Sequence, residues 1–230
     1  MHIKHLSLQH FRGIRSLELE LGHTTVLVGA NGAGKSAVLE AVAILASQLL
    51  WRIQGQTKKA RPISDSDVQN KASFARAEVQ ASLDDREVGW QLVRRRTSPR
   101  SKKNDKRQED PRSNLEELNQ TVRALWAGEE GECAVYPLGV YYDVKRAVVE
   151  IPLRVRETVK TDPLAAYDNA LEPGGADFKR FFSWFRNQED LENEKRLDDQ
   201  NYQDSVLSAV REAVEHFTGL SKLRVRRSPM

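Results

Sequence analysis

Gly29-Ala30-Asn31-Gly32-Ala33-Gly34-Lys35-Ser36 is the stretch on which the reading of this chain turns. A glycine, four residues and then Gly-Lys-Ser fit the phosphate-loop pattern in every position. Each residue type has a physical job there. The glycines let backbone N–H groups curl around phosphate oxygens with no Cβ in the way, and the positive end of the following helix adds to the anion site. Lys35 reaches the terminal phosphates as a mobile point charge. Ser36 offers a hydroxyl to Mg²⁺, which otherwise keeps its waters and phosphate oxygens. The pattern thus predicts a site for ATP with Mg²⁺. It places Gly29, Asn31, Gly32, Ala33, Gly34, Lys35, Ser36 and Ala37 on the nucleotide and Ser36 on the metal, and makes Lys35 the catalytic cation.

The flanks suit the loop. Thr24–Val28 is short, β-branched and apolar, which predicts a buried central strand. Beyond the loop, Val38, Val42, Leu45 and Leu49 recur at helical spacing and predict one amphipathic helix over Lys35–Trp51. Upstream, His2–His10 and Ser16–Leu21 alternate, with Phe11-Arg12-Gly13-Ile14 as the turn between them. Downstream, Arg52–Lys71 is polar and irregular. Phe74–Leu83 and Glu87–Arg96 read as a second hairpin turning at Asp84-Asp85.

Ser113 with Glu116 is a capping box that opens a helix to about Trp126, and Ala134–Tyr142 reads as another strand. From Asp162 the texture becomes helical. Asp162-Pro163 opens a short helix that Pro173-Gly174-Gly175 ends. Phe178, Phe181, Phe182 and Phe185 form an aromatic stripe, followed by a charged turn-over from Arg186 to Gln200. Tyr202, Val206, Val210, Ala213 and Phe217 form the next stripe, and Lys222–Arg227 alternates as a strand. The stripes read as helix-on-helix core in preference to a partner groove. The organisation expected is a phosphate-loop lobe over 1–160, a helical subdomain over 161–220 and a strand over 221–230.

Composition narrows the class. The chain has 230 residues, 39% hydrophobic and 30% charged, as a soluble globular protein has. Its longest apolar stretch, Ala37–Trp51, is short of a membrane span and contains Glu40, and the N-terminus lacks a signal-peptide pattern. Cys133 is the single cysteine, so a reducing cytoplasm is expected, with Cys133 a plain thiol. The net charge is +3, yet Arg94–Arg107 alone carries +7, which leaves −4 for the remainder. Such a run is a footprint for polyanions and also what a solvated loop looks like. On the first reading Arg94, Arg95, Arg96, Lys102 and Lys103 meet nucleic acid, from a mobile basic loop at about 94–112.

The loop alone does not fix the class of NTPase. A guanine-specific Asn-Lys-x-Asp is missing, since Asn70-Lys71-Ala72-Ser73 lacks the Asp. The nearest candidates for a Mg²⁺-binding acid at a strand end are Val140-Tyr141-Tyr142-Asp143 and Leu83-Asp84-Asp85, and the second reads better as a hairpin turn. Phe11-Arg12-Gly13-Ile14 followed by Val28-Gly29-Ala30-Asn31-Gly32-Ala33-Gly34-Lys35-Ser36-Ala37-Val38-Leu39-Glu40-Ala41 resembles the N-terminal lobe of ABC-type ATPase heads of the SMC and RecF group. A narrower resemblance is to the stand-alone AAA-family ATPases of bacterial anti-phage systems such as Septu and some retrons. It rests on Tyr141–Val148, Ala166–Leu171, Asp177–Arg186 and Glu189–Glu194.

That resemblance implies an α/β phosphate-loop fold with N-terminal hairpins and a helical insertion at about Asp162–Gly219. It also implies a homodimer or higher oligomer in which two heads sandwich ATP, and a nuclease or other effector as partner. Arg12 would lie near the nucleotide phosphates. The Mg²⁺-sensing glutamine of the group has no counterpart here, and Asp143, Lys145 or Arg146 would substitute. Thr218-Gly219-Leu220-Ser221-Lys222 has Lys where the group's signature needs Gly. The expectation is therefore an N-terminal piece of a longer ATPase that binds ATP without turning it over. Two alternatives stay open. One is a small phosphate-loop kinase with a lid of Arg154, Arg156, Arg180 and Arg186; the other is a nucleotide-sensing nucleic-acid module.

Overall fold

The computed structural model describes residues 1–55, 60–96, 112–126, 136–142, 164, 167, 170–172 and 178–225. Its first elements are strands β1 (His2–Phe11) and β2 (Ile14–Glu20), paired antiparallel from His5↔Glu20 to Phe11↔Ile14. Helix α1 (Lys35–Ile53) follows, then a 3-10 turn at Asp65–Asp67. Strands β3 (Phe74–Leu83) and β4 (Arg86–Arg95) form the second hairpin, ahead of helix α2 (Glu116–Trp126). Helices α3 (Phe178–Asp198) and α4 (Ser205–Thr218) come last. The chain divides into two compact units, Met1–Val144 with Ala166–Gly175, and Lys145–Ala165 with Ala176–Met230.

In the first unit the strands form one antiparallel sheet in the order β2-β1-β3-β4. Alternation decides which face is wet. Leu6 and Leu8 pair with Val79 and Ala77, which in turn pair with Trp90 and Leu92, so one face is a continuous apolar surface. Helix α1 covers it, and the buried indole of Trp90 donates to the Leu45 carbonyl at 3.0 Å. The Asp84-Asp85 hairpin turn is as read from sequence. Both residues have positive φ (47° and 62°), the geometry that matches strand twist in two-residue hairpins. At 19 residues α1 is also long and apolar enough to cross a membrane, more so than its apolar core suggested. However, 72% of that window is buried in this fold, as in a core helix.

Several expectations are corrected. Thr24–Val28 is not a buried central strand: it pairs with no described strand, and Val26 and Val28 are 77% and 91% exposed. A β-branched run becomes a central strand only where neighbours take its N–H and C=O groups, and β2 and β4 are the edges of the sheet formed here. Ser113 does not cap α2, because β4 claims its hydroxyl: Val93 N–H donates to Ser113 Oγ at 2.8 Å. Asn114 accepts from Glu116 N–H instead, while its backbone pairs with Gln91 beside β4. Residues 136–142 are not a strand, and Ala134 and Val135 lie outside the described residues.

In the second unit the charged stretch from Arg186 is no turn-over. The helix runs on to Asp198, because Glu189 and Glu192 face inward and are satisfied there. Arg211 donates to both, at 3.1 and 3.0 Å, and Asp204 N–H donates to Glu192. The second stripe is out of phase with the structure: Leu207 is the fully buried residue of α4, whereas Val206 and Phe217 are exposed. Residues 222–225 are not in a strand, and 226–230 lie outside the described residues, as do Asp162-Pro163 and Pro173–Gly175.

Candidate nucleotide site

The Gly29–Ser36 loop leads into α1 at the end of that helix nearest the β1–β2 turn. Gly32 and Gly34 take φ of 84° and 97°, a left-handed backbone that L side chains rarely adopt. Gly34 stands at the N-cap with no side-chain cap, and its carbonyl accepts from Val38 N–H at 3.0 Å. No acidic side chain sits in the first turn of α1, so the positive end of the helix is uncompensated from within it. The Lys35 ammonium folds back over the loop and donates to the carbonyls of Gly29 and Ala30, at 2.6 and 2.8 Å. Residues Gly29–Ala33 and Ser36 are exposed, whereas the Ala37 methyl is buried and only its backbone could serve a ligand. A cradle of this shape, with open glycines and a cation on its rim, suits a triphosphate. Ser36, exposed at the start of the helix, carries a hydroxyl of the kind that Mg²⁺ accepts as a ligand.

The β1–β2 turn lies against this loop. A Cβ on Gly34 would sit 3.4 Å from Ile14 Cγ1, so the Arg12-Gly13-Ile14 turn and the residue before Lys35 are neighbours. Arg12 has a left-handed φ of 52°, which for a non-glycine residue costs of order 1–3 kcal/mol unless its surroundings hold it. They do. Its N–H donates to the Asp67 carbonyl at 2.6 Å and its Nε to Asp67 Oδ1 at 2.8 Å. Gln69 N–H donates to the His10 carbonyl, which closes an isolated bridge between Phe11 and Val68.

Asp67 is itself fixed. Ser64 donates to its Oδ2 through both backbone N–H (2.9 Å) and hydroxyl (2.6 Å). Burial alone would push the Asp67 carboxyl up. The bonds from Ser64 and Arg12 outweigh that and hold it below the ordinary carboxylate value. Glu40, buried on α1, gathers three more groups. Arg61 bonds Glu40 Oε1, Tyr141 OH donates to Oε2 at 2.7 Å, and Arg12 Nη2 stands 3.6 Å from Oε1. Tyr141 is tied in turn by its N–H to the Ala170 carbonyl, and Tyr167 OH donates to the Pro137 carbonyl. Burial, with Tyr136 nearby, raises the Tyr167 phenol to about 12, so it stays a neutral donor.

The structure thus brings the Arg12 turn beside the loop and adds Asp67, Glu40 and Arg61, to which no motif assigns a role. A signal for Glu40 existed: a carboxylate inside an apolar helix needs a cation, and Arg61 lies in the polar stretch that follows. Of the basic run, Arg94 and Arg95 belong to β4 and are not a mobile loop. Arg94 forks onto Asp65, and Arg96 donates to the Val68 carbonyl. Lys102, Lys103, Cys133, Asp143, Lys145, Arg146, Arg154 and Arg156 lie outside the described residues. Arg186 is on α3 in the second unit, and Gly219 is simply the left-handed cap of α4, its N–H on the Glu215 carbonyl.

A family model described as an AAA domain matches residues 5–216. The chain belongs to the AAA-domain family. Membership makes it a phosphate-loop NTPase fold and implies nucleotide binding. The AAA domain is 25% identical over 207 residues to the retron Ec83 probable ATPase of Escherichia coli, a match covering 86% of this chain and 37% of that protein. The retron Vc95 probable ATPase of Vibrio cholerae serotype O1 biovar El Tor is 25% identical over 210 residues, covering 86% of this chain and 39% of that one. The DNA replication and repair protein RecF of Paenarthrobacter aurescens (strain TC1) is 48% identical over 54 residues, or 23% of this chain and 14% of RecF. The sequence is therefore an SMC/RecF-like AAA ATPase related to retron ATPases, as the resemblance implied. It spans less than two fifths of the length of the retron relatives.

Proposed function

We propose that Gly29–Ala37 binds the phosphates of ATP. In this reading Lys35 neutralises the terminal phosphates, Ser36 helps hold Mg²⁺ and Arg12 adds a second cation from the neighbouring turn. The observation that carries this reading is the corner itself. An exposed loop with two left-handed glycines opens a helix, its lysine is held among the described residues by the loop's own carbonyls, and an arginine turn is packed against Gly34. When bound, Mg²⁺ would offset charge on the phosphate oxygens. Lys35 would exchange two carbonyl contacts for phosphate, and the backbone N–H groups would cradle the rest.

On the same reading the chain is part of a longer ATPase that acts in the cytoplasm, with ATP-dependent pairing of heads and a nuclease or other effector as partner. The retron relatives support a role in anti-phage defence, and the RecF match supports nucleic acid as the object acted on. Asp143 or Arg146 would serve as the Mg²⁺-sensing group. Arg94, Arg95, Arg96, Lys102 and Lys103 would engage nucleic-acid phosphates. If they do, glutamine at those five positions should flatten the salt dependence of binding, about 0.9 log unit per phosphate lost on duplex DNA.

The phosphate site is tested by calorimetry on Lys35→Ala. Mg-ATP affinity should fall by about 1.5–3 kcal/mol, the worth of a charged contact, while the melting temperature stays at the wild-type value. Unchanged affinity would remove the assignment.

A further inference from the structure

We infer that Asp67 and Glu40 are positioning residues for Arg12, holding its guanidinium over the Lys35 end of the phosphate loop so that it recognises the terminal phosphate of a nucleoside triphosphate. The inference rests on the proposed phosphate site and goes one layer behind it. Arg12 is gripped twice by one residue, N–H to the Asp67 carbonyl and Nε to the Asp67 carboxylate. Those two bonds fix the left-handed backbone and the direction of the side chain together. Asp67 cannot swing, because both bonds from Ser64 hold its other oxygen.

Glu40 acts differently. It is already bonded to Arg61 and Tyr141, and its 3.6 Å approach to Arg12 Nη2 is an ion pair longer than a hydrogen bond. That contact steadies the fork without saturating it. The Arg12 side chain is 38% exposed, while the Asp67 and Glu40 side chains are 6% and 9% exposed. The charged end that stays accessible is thus the cation, next to a loop whose ligand is an anion. Because the Arg12 turn touches Gly34 and Lys35 reaches the terminal phosphates, Arg12 should sense the phosphate that distinguishes a triphosphate from a diphosphate.

The experiment is calorimetry of Mg-ATP and Mg-ADP on the full 230-residue chain carrying Asp67→Asn, Arg12→Gln, both changes, or Arg12→Lys. Asp67→Asn should weaken Mg-ATP about tenfold, as loss of one charge-assisted bond would, with Mg-ADP changed less than about twofold. Arg12→Gln should do the same, and the double variant should be no weaker than either alone. Arg12→Lys keeps the charge but cannot span both carboxylates, so it should match Arg12→Gln. Wild-type ATP affinity in Asp67→Asn, equal losses for ATP and ADP, additive losses in the double variant, or rescue by Lys would each overturn the positioning role. A wild-type chain that binds no Mg-ATP, or that binds it equally well as Lys35→Ala, would overturn the phosphate site and this inference with it.

Discussion

The two units each bury two carboxylates against arginines, and the two clusters behave differently. In the helical unit, Glu189 and Glu192 are saturated from inside the fold by Arg211 and by the N–H groups of Asp204 and Val225. Burial costs Arg211 something, yet the two carboxylates more than offset it and raise its pKa. Among the described residues, both carboxylates of that cluster are taken up by the fold itself. In the sheet unit, Asp67 and Glu40 hold Arg12 at 2.8 and 3.6 Å, and its side chain stays 38% exposed, in a turn whose Ile14 lies against Gly34. Both are buried ion-pair networks. Only the second neighbours the loop proposed to bind phosphate. A buried carboxylate paired with arginine is thus no sign of a site by itself; what lies next to the arginine decides.

Glu192→Ala should give the largest effect, about 3–5 kcal/mol lost in urea denaturation, because the half-buried Arg211 loses one of its two counter-charges and Asp204 N–H loses its acceptor. Mg-ATP affinity measured well below the transition should stay at the wild-type value. A parallel fall in affinity would break the contrast between a structural cluster and a site cluster. Next comes Gly34→Ala. A φ of 97° is strained for alanine, although its Cβ would only touch Ile14 Cγ1 at 3.4 Å. The cost should be about 1–3 kcal/mol of stability, and Mg-ATP affinity should drop with it. Full wild-type affinity would mean that the loop shape seen here is not the binding shape.

Acid should separate the clusters in a gentler way. The folded Asp67 carboxyl sits below its ordinary value of about 3.9, so its contribution is complete above that pH and is lost as pH falls through the lower folded value. Asp67→Asn should therefore reduce the slope of stability against pH below about 4 relative to wild type. Identical slopes would mean the Ser64 and Arg12 bonds do not survive in solution. The smallest effect belongs to Arg94→Gln. Its bidentate pair with Asp65 is exposed on both sides, and the melting temperature should not move.

What could be read in the sequence was local. Both hairpins, the Asp84-Asp85 turn and α1 follow from alternation, turn chemistry and helical spacing, which neighbouring residues settle among themselves. The phosphate loop is legible for the same reason. Errors fell where a distant partner decides. Ser113 looked like a cap until β4 took its hydroxyl, and Glu189 and Glu192 looked like solvated charge until Arg211 reached them. Asp67 carried no motif at all. It matters because the chain returns it to Arg12, fifty-five residues earlier.

The Thr24–Val28 run has a consequence for handling the protein. Five consecutive residues are uncharged, rich in β-branched side chains and without proline, and Val26 and Val28 stand almost fully in water. Among the described residues no main-chain group pairs with this run, and such a run is a template for a second chain laid alongside, with cross-strand stacking that grows with protein concentration. The isolated chain should be colloidally fragile, precipitating as it is concentrated through association at this segment rather than through unfolding. A single Val28→Lys change would place a charge on that run and raise the solubility limit while the melting temperature holds.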